Sequence, residues 1–81
     1  MVNCGNDLRR GGFRVMVFTN DHAPPHVHVF KAGTEAVIAL IPITIRANYR
    51  MSKSDLCHAF GLVAENRDRL LAAWREIHDR Q

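Results

Sequence analysis

The residues with the clearest chemical potential stand in one short stretch, Asp21-His22-Ala-Pro-Pro-His26-Val-His28. Three of the five histidines lie in it. His26 and His28 are two apart in an alternating segment, His26-Val-His-Val-Phe-Lys31, so in a strand both rings leave the same face. The two prolines restrict the loop that carries Asp21 and His22, and a restricted loop suits a site that must hold its groups in place. Imidazoles titrate near neutrality, so two neighbouring rings can share one proton and serve as acid and base.

Three readings of this stretch compete. In the first, Asp21, His22, His26 and His28 form an acid–base or phosphate-binding site of nuclease type, with Asp21 orienting an imidazole. In the second, His26 and His28 join His22 or Asp21 as nitrogen and oxygen ligands of a transition metal, although no obligatory fourth ligand stands nearby. In the third, the imidazoles bond backbone carbonyls and lock the proline loop. Arg14, Arg46 and Arg50 are the cations expected near the cluster, where they would neutralise phosphate oxygens. The bland alternative for each is a solvated surface arginine. His78, near the end of the helical C-terminus, reads as a partner of the helix dipole. The cysteines, Cys4 and Cys57, form no zinc spacing and read as reduced thiols.

The elements that must position these groups follow from hydrophobic period. Phe13 to Thr19 is β-branched and aromatic with apolar residues on both faces, which predicts a central strand. The His26–Lys31 strand turns through Ala32-Gly33-Thr34 into a third, Glu35 to Ile41. Pro42 interrupts, and residues 43–49 alternate again as a fourth strand or strand-like connection. There Ile43, Ile45, Ala47 and Tyr49 are expected inward, and Thr44, Arg46, Asn48 and Arg50 outward. From Ser52 the period becomes helical, with Ser52 or Ser54 as the candidate N-cap and a core stripe of Leu56, Phe60, Val63, Leu70, Trp74 and Ile77. One unbroken helix of about 27 residues would be too long for so small a core, so a break is expected near Asn66. Residues 1–12 read as a flexible lead-in and 13–81 as a single domain. The fold expected is α+β, a sheet of three or four mainly antiparallel strands followed by one or two C-terminal helices on one face.

Composition sets the outer limits. The chain has 81 residues, 47% of them hydrophobic and 23% charged, which excludes a disordered or collagen-like chain. Its longest apolar run, residues 36–43, is too short to span a bilayer, and the polar N-terminus is not a signal peptide, so no membrane contact is expected. The net charge of +3 lies wholly within residues 1–50, because basic and acidic side chains balance in 51–81. Nine of the eleven basic residues are arginine, the side chain that forks onto phosphate or carboxylate, which points to a nucleic acid or an acidic protein as partner. Both faces of the first long strand are apolar, with Met16 and Phe18 opposite Phe13, Val15 and Val17. A homodimer, or a complex with a partner protein, would hide that strip.

The run Asp21-His-Ala-Pro-Pro-His-Val-His-Val29, together with Leu-Leu-Ala-Ala-Trp-Arg-Glu-Ile-His78, resembles a family of small bacterial domains of unknown function. Its signature is (Asp/Glu)-His-x-Pro-Pro-His-Val-His-Val, and it is also called the DhiT-like toxins. The resemblance extends from about Phe13 to His78. It implies a cytoplasmic toxin-like component with a cognate antitoxin-like protein partner, and it supplies neither a reaction nor a cofactor. The expectation is therefore a toxin-like protein acting on RNA or translation through its histidines. Against it stand a non-catalytic module that binds a partner or DNA, and a small metal-binding domain.

Overall fold

The computed structural model describes residues 8–18 and 24–78. The chain forms β1 (Leu8–Arg10), β2 (Phe13–Met16), β3 (His26–Lys31), β4 (Thr34–Leu40), β5 (Ile43–Tyr49), α1 (Lys53–Glu65) and α2 (Arg67–His78). The strands make one antiparallel sheet in chain order, and the helices pack against it, so the architecture is α+β.

The sheet has five strands rather than three or four. Residues 8–12, expected at the end of a flexible lead-in, instead add β1, with Leu8 opposite Val15 and Arg10 opposite Phe13. The connection is Gly11-Gly12, both at positive φ (55° and 83°), the backbone of a tight two-residue hairpin. A second such turn, Ala32-Gly33, pairs Lys31 with Thr34 and thereby sets the register of β3 on β4. The segment after Pro42 is a full strand, and it forms the sheet's far edge.

Alternation divides the sheet into two faces. Val15, Val27, Val29, Ala36, Ile38 and Leu40 are fully buried and share a core with Ala59, Leu62, Val63, Leu70, Leu71 and Trp74 of the helices. The stripe on α1 runs one position away from the expected one: Ala59, Leu62 and Val63 are buried, whereas Leu56 and Phe60 are only half-buried. The inward set expected on β5 is also corrected. Val37 lies opposite Ala47 but Ile38 lies opposite Ile45, so Arg46 is an extra residue at a bulge. Past that slip Ala47 lies opposite Val37, off the core face, and Tyr49 is exposed; Ile45 keeps its place opposite Ile38 but is exposed at the sheet edge.

The helical break falls at Asn66. Its amide donates to Leu62 O at 2.8 Å and its backbone N–H reaches Val63 O, closing α1, while its own carbonyl accepts from Leu70 N to open α2. The α1 start is capped by Ser52, whose hydroxyl accepts from Asp55 N. Arg67 then ties α2 to the sheet, its Nε donating to Leu40 O at 3.0 Å.

Candidate functional site

The face of the sheet opposite the core carries the chemistry, in rows that cross the strands. Arg14 lies opposite Phe30, and Phe30 opposite Glu35. Met16 lies opposite His28, and His28 opposite Val37. His26 lies opposite Ala39. Glu35 is thus the diagonal neighbour of His28 across the hairpin, a separation long side chains bridge. The contact is made: His28 Nδ1 donates to Glu35 Oε2 at 2.8 Å.

His26 is held differently. Its Nδ1 donates to the carbonyl of Pro24 at 2.9 Å, a bond that the preceding proline segment presents to it. A carbonyl oxygen only accepts, so this nitrogen carries the proton, and the neutral ring has its lone pair on Nε2. The same reasoning, with an ionised carboxylate as acceptor, puts the His28 lone pair on Nε2. The two rings meet edge to face with centroids 5.3 Å apart.

Around this pair the rings continue. Phe18 lies 4.6 Å from His28, and Phe30 is parallel to it at 6.4 Å. On the other side the His26 ring is 5.2 Å from Trp74, which in turn stacks at 3.6 Å on His78. His78 Nδ1 donates to Trp74 O, one turn back, which agrees with its reading as a helix-end residue.

The structure therefore brings His26 and His28 together. Asp21 and His22 lie outside the described residues. For His28 the orienting carboxylate is Glu35, which sequence reasoning missed, although counting across the two-residue Ala32-Gly33 turn would have placed it beside the histidine. Among the described residues, no group of three or more His, Cys, Asp or Glu side chains is placed to hold a metal ion.

The expected arginines separate. Arg14 is on the histidine face in the row of Phe30. Arg50 pairs with Glu35 through an isolated bridge and has a left-handed backbone, φ 72°. That conformation costs a non-glycine residue roughly 1–2 kcal/mol. It is held by Asn48, whose side chain accepts from Met51 N at 2.9 Å and donates to Met51 O at 3.0 Å. Arg46, at the bulge, is exposed. Phe30, Glu35, Tyr49 and Arg50 line an open cleft of about 680 Å³ beside the His28–Glu35 pair.

A family model described as domain of unknown function (DUF4160) matches residues 12–75. No curated protein and no solved structure matches the chain.

Proposed function

The chain belongs to the DUF4160 family of domains of unknown function, and from that premise we propose that it is the toxin-like member of a bacterial toxin–antitoxin pair, cleaving RNA in the cytoplasm by acid–base catalysis. The observation that supports this is the pair of adjacent imidazoles, each fixed by an acceptor at Nδ1. His28 acts as base. Its Nε2 takes the proton of a ribose 2′-hydroxyl, whose oxygen attacks the adjacent phosphorus. Glu35 stabilises the imidazolium that forms. Protonated His26 acts as acid and gives its Nε2 proton to the departing 5′-oxygen. The products are a 2′,3′-cyclic phosphate and a 5′-hydroxyl end, and no further reactant is needed. Arg14 and Arg50 offset the charge on the phosphate oxygens. His22 and Asp21, in the same sequence motif, complete the site.

The cognate antitoxin-like partner is assigned to the β5 edge. The exposed large hydrophobics Ile41, Ile45 and Tyr49 all lie on β5 or in its turn, and an edge strand offers a row of backbone groups to an added strand. A second copy fits this edge less well, because centred antiparallel self-pairing of β5 sets Arg46 against its own counterpart. Among the described residues, no helix is long and apolar enough to cross a membrane.

The test is expression in bacteria with and without the neighbouring gene, scoring growth and RNA ends. Growth arrest with cyclic-phosphate ends, lost in a folded His26→Ala/His28→Ala variant, is the expected result. A folded double variant that remains fully toxic removes the acid–base reading.

A further inference from the structure

The cleft beside Glu35 has the makings of a base-binding site. The β3–β4 register sets Phe30 opposite Glu35. On β5, Ala36 pairs with Asn48 and Val37 with Ala47, and the bridge that follows joins Glu35 to Arg50, the residue after Tyr49. Phe30 on β3, Glu35 on β4 and Tyr49 on β5 thus make a row across three neighbouring strands, and all three line the cleft. Strands lie about 4.8 Å apart, so the outer two of three are separated by about 9–10 Å. A planar base held between two rings needs about 3.5 Å on each side. The row leaves that room, with a modest lean of the rings taking up the difference.

We propose that this cleft binds a guanine base of single-stranded RNA, sandwiched by Phe30 and Tyr49, read by Glu35 and anchored through its phosphate by Arg50. The inference rests on the RNA reading above and names the nucleotide that it engages. Stacking on aromatic rings is how protein surfaces hold unpaired bases, and it tolerates any base. The choice of guanine comes from Glu35. A carboxylate only accepts, and guanine alone presents two adjacent donors, N1–H and N2–H₂, on its pairing edge. Glu35 Oε2 already accepts from His28 Nδ1, but each carboxylate oxygen has two lone-pair sites, so capacity remains. The same carboxylate would then read the base and orient the imidazole, placing the engaged nucleotide next to the reacting pair. Arg50 supplies the positive charge at the rim. Its left-handed backbone, clamped by Asn48, is a strained feature held at the edge of a cleft.

The test titrates the isolated full chain with guanosine 5′-monophosphate and adenosine 5′-monophosphate, following the backbone amides of Glu35, Tyr49 and Arg50 by NMR. Guanosine monophosphate is expected to bind at least fivefold more tightly. Tyr49→Ala, at an exposed position that does not threaten folding, should weaken it about tenfold. Glu35→Gln should erase the preference over adenosine monophosphate while leaving residual binding, and Arg50→Ala should reduce the monophosphate to the affinity of guanosine itself. Equal affinities for the two nucleotides, or a Tyr49→Ala variant that binds like the parent, would overturn the proposal. RNA cleavage without nucleotide binding in the cleft also overturns it and leaves the acid–base reading standing. Guanosine monophosphate binding in a protein that cleaves no RNA does the reverse.

Discussion

Between His26 and Phe30 the chain spends alternate residues on opposite tasks. Val27 and Val29 are fully buried against the helices, whereas His26, His28 and Phe30 stay half-buried on the other face. The same strand, with the same backbone bonds, thus supplies a core on one side and titratable rings on the other. On the covered face what counts is volume, because a lost methyl leaves a void. On the histidine face what also counts is the position of a polar atom: Glu35 and Pro24 hold the imidazoles by Nδ1, while the rings of Phe18, Phe30 and Trp74 surround them. The period of two lets a small sheet do both without compromise.

Substitutions on each side can break or sharpen this contrast. The largest effect is expected at Trp74, which belongs to the core and also touches His26. Trp74→Ala should cost about 3–5 kcal/mol in denaturant unfolding. If the variant melts like the parent, the packing on the covered face is wrong. Val29→Ala comes next, at about 2 kcal/mol and a melting temperature lower by about 10 °C. A silent Val29→Ala would mean that the covered face is looser than its burial indicates. The His26→Ala/His28→Ala pair should cost about 1–2 kcal/mol, through the two lost hydrogen bonds, while abolishing RNA cleavage. A loss of several kcal/mol in calorimetry would make the histidines structural and collapse the distinction between faces. Smallest of all, Tyr49→Ala at the exposed edge should lie within about 0.5 kcal/mol of the parent, so any binding defect there is a direct one.

The sequence made the layout legible where a strong local signal existed. Alternation in His26–Lys31, the helical period after Ser52 and the polar break at Asn66 all led to elements of the kind observed. β1 escaped because three residues, two of them arginine, carry no periodic signal; the Gly11-Gly12 pair was the sign of a hairpin. The facing of Ala47 and Tyr49 was misread because a bulge at Arg46 shifts the phase, and a single inserted residue leaves no mark in an alternating pattern. The site was legible in its histidines, which share a segment, and not in Glu35, whose role comes from pairing across a turn. Asp21 and His22 lie outside the described residues, so their part in the site remains a proposal.

The stack of Trp74 on His78, with the His26 ring also in contact, gives the molecule an optical property of its own. Trp74 is the only tryptophan in the chain, so all indole emission arises at this one place. An excited indole passes an electron readily to an imidazolium in contact with it and poorly to a neutral imidazole, so each proton taken up by these rings dims the light. Emission intensity is therefore a label-free reporter on the charge of the histidine array, and it reads out at micromolar protein. A ligand that alters the proton held by His26 would register in the same signal, without any dye or isotope.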